Sequence, residues 1–97
     1  MRIDAILATG RPVLSFEFFP PRTPEGIETL FETVEALKQL EPSFVSITYG
    51  AGGATRDGTV EIATRLKSEH HLEAMAHLSC VGETSQGLVE ILYRFEA

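Results

Sequence analysis

The sequence has no tryptophan, one cysteine, and only eight lysines and arginines against fourteen aspartates and glutamates. A lone Cys80 excludes an internal disulfide, and no Cys/His spacing fits a closed zinc site, so we expect a reducing, cytoplasmic location. The net charge of −6 opposes contact with phosphate backbones, because charge-driven binding to nucleic acid needs a basic patch. We therefore expect neither nucleic acid nor an anionic membrane as a partner.

Long hydrophobic runs are also missing. No stretch approaches the ~20 apolar residues of a membrane span, and the first residues, MRIDAILATGRP, contain no apolar run of signal-peptide length. Apolar residues make up 43% of the chain, and Gly and Pro are few, which is typical of a folded domain rather than a disordered one. The length of 97 residues fits one such domain, which we expect to be soluble and unexported.

Apolar periodicity alternates three times between a short β-like run and a longer helical pattern, which predicts the order βαβαβα. The strands recur at about 30 residues, the length of one βα unit, and are therefore expected to be parallel. The predicted strands are 13–19, 44–49 and 72–79, and the predicted helices are 23–40, 58–70 and a last helix capped by Thr84.

Each predicted helix has an apolar stripe that should face the sheet. The stripes consist of Ile27, Leu30, Phe31, Val34, Leu37 and Leu40 in the first helix, Val60, Ile62, Ala63 and Leu66 in the second, and Leu88, Val89, Ile91, Leu92 and Phe95 in the third. Cys80 is expected to be a small buried apolar residue. His70 and His71, at the end of the second helix, are expected to be solvated.

Alternation along the strands gives the sheet one apolar face and one more polar face. The apolar face carries Leu14, Phe16, Phe18, Val45 and Ile47, and the polar face carries Ser15, Glu17, Phe19, Ser46 and Thr48. A closed (β/α)8 barrel needs eight units and about 250 residues, so three units predict a segment of a TIM-type barrel. A doubly wound sheet is the alternative, but its GxGxxG turn is absent and Pro20-Pro21 occupies that position.

Glu17 is the strongest candidate for chemistry. It lies just before Pro20-Pro21, hence at the carboxyl end of a strand, where barrel active sites lie. Aromatic neighbours lower the local dielectric and favour the protonated carboxyl, as a general acid requires. The alternative is a structural carboxylate, ion-paired or hydrogen-bonded to backbone within the sheet.

Thr48 and His77 follow Glu17 by 31 and 60 residues, which predicts the same relative position in the second and third strands. All three should then line one mouth, where a histidine can donate to a ligand or titrate near neutral pH. A satisfied structural histidine is the alternative. The glycine-rich loop 49–56 could hold an anion or cofactor on its backbone N–H groups, or could be only a turn with positive φ.

Three segments together resemble the opening of the methylenetetrahydrofolate reductase family. They are Ser15-Phe-Glu-Phe-Phe-Pro-Pro-Arg-Thr23, Val45-Ser-Ile-Thr-Tyr-Gly-Ala-Gly-Gly-Ala-Thr-Arg-Asp57 and Ala76-His-Leu-Ser-Cys-Val81. Their order and spacing match the family from about residue 10 to the last helix. Ala54 stands where family members commonly have serine.

The resemblance implies a (β/α)8 barrel that holds FAD at its carboxyl-end mouth. NAD(P)H would reduce the flavin, and the flavin would pass hydride to 5,10-methylenetetrahydrofolate, giving 5-methyltetrahydrofolate for methionine synthesis. It further implies that Glu17 is the general acid acting on the folate, that Thr48 contacts the nicotinamide nucleotide, and that Tyr49, Ala51 and His77 contact FAD. The full-length form is expected to be a homo-oligomer.

The resemblance also implies that residues 1–97 are the amino-terminal part of a single reductase barrel domain. The family continues with further strands, including a Leu-Arg-Gly-Asp-like segment after the fourth strand. The alternative, from a different functional class, is a non-catalytic remnant that acts at most as an interaction or assembly segment through open sheet edges.

Overall fold

The computed structural model describes residues 2–49 and 56–96. Its elements in chain order are α1 (Ile3–Ala8), β1 (Ser15–Phe18), α2 (Pro24–Leu37) with a following 3-10 turn (Lys38–Leu40), β2 (Phe44–Ile47), α3 (Arg56–Ser68), β3 (Ala74–Ala76) and α4 (Ser85–Glu96). The three predicted βα repeats are confirmed. Helix α1 is an addition, because a six-residue helix with no buried residue has too little apolar periodicity to predict it.

The three strands form one parallel sheet in the order β1-β2-β3, which confirms an α/β fold. Strand β1 alternates as predicted, with Ser15 and Glu17 exposed and Phe16 and Phe18 half-buried. The central strand β2 is buried at all four positions. Helices therefore cover one face of the sheet, whereas the other face is exposed to solvent at β1.

Helix α2 begins where the sequence predicts. The Gly26 N–H donates to Thr23 Oγ1 at 3.0 Å, and Pro24 occupies the first turn, where no intrahelical N–H bond is lost. The predicted inward position of Leu40 is wrong, since this side chain is exposed. The 3-10 turn is the reason, because its 3.0 residues per turn rotate Leu40 away from the stripe that 3.6 residues per turn would continue.

The core lies between the sheet and helices α2 and α3. It consists of Leu30, Phe31, Val34, Val45, Ile47, Ile62 and Leu66, with Phe18, Ile27, Leu72 and Ala74 packed against it. All four predicted inward positions of α3 are buried, which confirms that stripe. Burying one such side chain contributes roughly 1.5–3 kcal/mol, so these contacts hold the helices on the apolar face of the sheet.

Helix α4 is capped as predicted, with the Gly87 N–H donating to Thr84 Oγ1 at 3.0 Å. Of its predicted apolar face only Ile91 is buried, while Val89 and Leu92 are exposed, so the prediction is wrong for these two. Helix α4 packs against α3, and a single neighbouring helix covers a narrower stripe than a sheet would.

Cys80 is exposed in the loop after β3, which corrects the expectation of burial.

His70 is not solvated, contrary to prediction. Its ring stacks on Phe31 with centroids 4.9 Å apart and 6° between planes, and its Nδ1 contacts Glu35 Oε1. The guanidinium carbon of Arg65 lies 4.1 Å from the centroid of the same Phe31 ring. The contact with His70 lowers the pKa of Glu35, and Lys38 adds to this effect. We call Phe31, Glu35, Arg65 and His70 the Phe31 clasp. These residues connect α2 to the end of α3.

Candidate functional site

Glu17, Ser46 and His77 meet on the open face of the sheet, near the carboxyl ends of the strands. Ser46 Oγ donates to Glu17 Oε1 at 3.0 Å, and His77 Nε2 lies 3.3 Å from the same oxygen. We call these three residues the Glu17 cluster. Each comes from a different strand or its end, so the sheet itself assembles the cluster.

Exposure differs sharply within the Glu17 cluster. The side chains of Glu17 and His77 are 53% and 42% exposed, whereas Ser46 is 7% exposed. The expectation that aromatic neighbours enclose the Glu17 carboxyl is wrong. Phe18 packs against the helix-covered core, and strand alternation places Phe16 on the same face, opposite to the face of Glu17. Glu17 is therefore accessible to a ligand on the open face.

The register corrects the predicted alignment of Glu17 with Thr48. Glu17 pairs with Ser46, 29 residues later, and Ser46 pairs with Met75. Thr48 lies two residues beyond Ser46, and its N–H donates to Phe18 O at 3.0 Å. His77 reaches Glu17 diagonally across the sheet. Strand alternation predicts Ser46 on the polar face but does not identify it as a site residue; a repeat of 29 residues from Glu17 leads to it.

The ends of β1 and β2 are held near each other by the first turn of α3. Thr59 Oγ1 donates to the Thr48 carbonyl at 3.0 Å, and Thr59 is fully buried. A Cβ at Gly58 would lie 3.9 Å from the Cβ of Pro20, an ordinary packing distance. Helix α3 thus fixes the carboxyl end of β2 beside the turn that follows Glu17.

The predicted cofactor residues fall partly within the described structure. Thr48 and Tyr49 are half-buried at the end of β2, and the His77 N–H donates to Ile47 O at 2.9 Å as β3 ends. Ala51, with the rest of the glycine-rich loop over residues 50–55, lies outside the described residues.

Across 2–49 and 56–96, none of the helices combines the length and apolar character that crossing a membrane requires.

The arrangement combines an accessible carboxyl with a buried hydroxyl donor and an imidazole. A carboxyl group held in one position within reach of solvent or ligand can transfer a proton as a general acid or base. The imidazole beside it can hydrogen-bond a ligand atom. The geometry therefore supports proton transfer to a molecule that lies on the open face.

Comparison with known proteins gives one family. The sequence model of the family "Methylenetetrahydrofolate reductase" matches residues 2–97. Methylenetetrahydrofolate reductase (NADH) 1 of Arabidopsis thaliana is 46% identical over 79 residues, which are 81% of this chain and 13% of the plant protein. The corresponding protein of Zea mays is 51% identical over 71 residues, 73% of this chain and 12% of its own length.

A bacterial relative gives the same result. The 5,10-methylenetetrahydrofolate reductase of Escherichia coli (strain K12) is 46% identical over 79 residues, which cover 81% of this chain and 27% of the bacterial protein. The chain thus spans between 12% and 27% of the length of these three relatives. Because the family match extends over nearly all of its residues, the chain belongs to the methylenetetrahydrofolate reductase family.

Proposed function

We propose that this chain is the amino-terminal part of a (β/α)8 reductase barrel. In that barrel it contributes to the NAD(P)H- and FAD-dependent reduction of 5,10-methylenetetrahydrofolate to 5-methyltetrahydrofolate, in one-carbon and methionine metabolism. Family membership and the reactions after which the relatives are named support this activity. Three parallel strands, each followed by a helix, are the repeating unit of such a barrel and support the fold.

The observation that carries the proposal is the accessible Glu17 carboxyl, held by Ser46 and His77 on the open face of the sheet. In this reading Glu17 donates a proton to a nitrogen of the folate, and the five-membered ring of the substrate opens to an iminium. A carboxyl exposed toward a ligand can reach that nitrogen, whereas one enclosed among the helices could not. The half-exposed position of Glu17 therefore suits the acid role, although it is not the apolar pocket expected from the sequence.

The described residues fit the two cofactors. Thr48 offers a hydroxyl and His77 an imidazole at the carboxyl ends of β2 and β3, and both groups pair well with the ring nitrogens, carbonyls and amides of flavin and nicotinamide. We assign Thr48 to the nicotinamide nucleotide and Tyr49, Ala51 and His77 to FAD. FAD, when bound, would carry hydride from NAD(P)H to the folate. The residues of this chain would bind and orient the cofactors, and Glu17 would protonate the folate.

The test separates the two half-reactions in a full-length reductase that carries this segment. Glu17→Gln should leave reduction of the flavin by NAD(P)H near its parental rate, because that step needs no proton from this side chain. Reduction of methylenetetrahydrofolate should fall by about 10²–10⁴-fold, the usual contribution of a positioned general acid.

Glu28→Gln is the matched control, since Glu28 is an exposed carboxylate on α2. It should change neither half-reaction. Parental rates for both half-reactions in Glu17→Gln would make Glu17 a structural carboxylate and contradict the proposal. Joint loss of both half-reactions together with bound flavin would contradict the acid role and make Glu17 part of the cofactor site.

A further inference from the structure

We propose that Ser46 is a positioning residue for Glu17. Its hydroxyl holds Oε1 of the carboxyl, so that the acidic proton resides on Oε2. This inference rests on the proposed role of Glu17 as the proton donor. It adds a residue that acts through Glu17 and does not itself touch the substrate.

Ser46 is suited to this role by its place in the sheet. It lies in β2, the central strand, directly opposite Glu17 in the parallel register, and neighbouring strands are ~4.8 Å apart. It is 7% exposed, and the ladder bond from Thr48 N–H to Phe18 O fixes the two strands just beyond the pair. A short side chain on a buried strand has little freedom to move. The hydroxyl is therefore prepositioned, whereas the longer Glu17 side chain is half-exposed and needs a partner to fix it.

The two contacts of the cluster select between the carboxyl oxygens. Ser46 Oγ donates to Oε1, and Nε2 of His77 also lies beside Oε1, so neither contact uses Oε2. An oxygen that already accepts a hydroxyl proton is the less favourable place for the acidic proton. The protonated form of Glu17 consequently carries its proton on Oε2, the oxygen that neither of these two contacts engages.

His77 also faces this carboxyl, from the end of β3, as a second contact beside the Ser46 hydroxyl. The Ser46 hydroxyl itself carries no charge. The effect of Ser46 on the carboxyl is thus one of geometry, and it should persist across the working pH range.

The experiment compares Ser46→Ala, Ser46→Thr and the double variant Glu17→Gln/Ser46→Ala in a full-length reductase carrying this segment. Ser46→Ala should slow methylenetetrahydrofolate reduction by about tenfold, since a small displacement of a reacting group costs one to two orders of magnitude. Flavin reduction by NAD(P)H should stay within about twofold. Ser46→Thr keeps the hydroxyl and should recover the folate half-reaction to within about threefold of the parent.

The double variant supplies the readout that a purely structural role would not give. If Ser46 acts through Glu17, adding Ser46→Ala to Glu17→Gln should cause no further loss in the folate half-reaction. This comparison does not depend on how the extra methyl group of threonine is accommodated. Ser43→Ala, a half-buried serine just before β2, is the control for removing a hydroxyl near this strand and should be neutral.

The outcomes separate this inference from the function on which it rests. Impaired folate reduction in Glu17→Gln but parental rates in Ser46→Ala would overturn the role of Ser46 and leave the proposed function intact. Parental folate reduction in Glu17→Gln would overturn the proposed function itself. A loss in Ser46→Ala that affects both half-reactions equally, or that multiplies with the Glu17→Gln loss, would make Ser46 a structural residue and overturn the inference.

Discussion

The hydroxyl of Thr59, in the first turn of α3, donates to the backbone carbonyl of Thr48 at the end of β2. This bond crosses from helix to strand, and Thr59 is fully buried. Thr59→Val keeps the shape of the side chain but leaves the Thr48 carbonyl without this donor. We expect a loss of about 1–3 kcal/mol in the free energy of unfolding, measured by urea denaturation.

Thr64→Val is the control for this prediction. The Thr64 hydroxyl donates within its own helix, to Val60 O at 2.8 Å, and the residue is exposed. Its replacement should change the unfolding free energy by no more than about 0.5 kcal/mol. If the two substitutions lower the free energy of unfolding equally, the hydrogen bond from Thr59 in α3 to Thr48 in β2 adds no more stability than a bond within one helix.

Acid should loosen the Phe31 clasp through Glu35. The contact with His70, aided by Lys38, lowers the pKa of Glu35 below its ordinary value of 4.5, so the folded state favours the carboxylate. A lowered folded-state pKa gives stability that is present above the unfolded-state pKa and disappears as pH falls through the folded-state pKa. The urea midpoint should therefore fall below pH 4.5 more steeply in the parent than in Glu35→Gln.

Glu28→Gln, on the same helix, serves as the comparison, because Glu28 is exposed. This variant should follow the parental pH dependence between about pH 6 and about pH 3. If Glu35→Gln instead follows the parent over this range, the Glu35–His70 contact adds no pH-dependent stability.

Leu66 is the natural probe of the core. It is fully buried between α3 and the sheet, and Leu66→Ala should cost about 2–5 kcal/mol, because the surrounding residues cannot fully close the cavity. Leu92→Ala removes the same atoms from an exposed position on α4 and should cost about 0.5 kcal/mol or less. A large cost for Leu92→Ala would mean that α4 has a partner in solution that covers its outer face.

Flavin retention tests the cofactor assignment of His77. In a full-length reductase carrying this segment, His77→Ala should weaken FAD binding by about tenfold, which corresponds to the loss of roughly one good hydrogen bond. His71→Ala is matched in chemistry, and His71 is exposed at the far end of α3 with a φ of 57°, so flavin content should not change. If His77→Ala leaves the affinity for FAD unchanged, the assignment of His77 to FAD is wrong, and the contact of its imidazole with Glu17 is the role that remains.

The isolated chain distinguishes the reductase from an assembly segment. Absorbance spectra before and after addition of FAD should show bound yellow flavin if the residues at the carboxyl ends of β1, β2 and β3 already form part of the cofactor site. A colourless chain that associates through its sheet edges, detected by light scattering, would instead favour the interaction segment.

Local pattern predicted the three strands and the helix that follows each of them. The alternation of Phe16 and Phe18 in β1 and the spacing of Ile62 and Leu66 in α3 each identified the more buried side, because burial on one face imposes the period of a strand or a helix. The inward position predicted for Leu40 is wrong because the change from α to 3-10 geometry depends on the turn that follows. In that turn Glu41 has a φ of 53°.

The candidate site needed information that periodicity does not contain. Strand pattern specifies which face Glu17 occupies but not its partner, because register depends on the crossover lengths, and an error of two residues placed Thr48 where Ser46 lies. His70 was missed for a related reason, since its contact with Glu35 joins residues 35 positions apart. Such long-range contacts have no local signal.

The central position of β2 also governs how the chain acquires its fold during synthesis. Strand β1 leaves the ribosome first, but its hydrogen-bonding partner lies 29 residues further on, as the Glu17–Ser46 pair shows. At about 5–20 residues per second, β1 waits roughly one to six seconds for that partner. During this interval β1 has no neighbouring strand and Phe16 and Phe18 have no completed core beside them, so the nascent chain presents an exposed aromatic segment of the kind that chaperones bind.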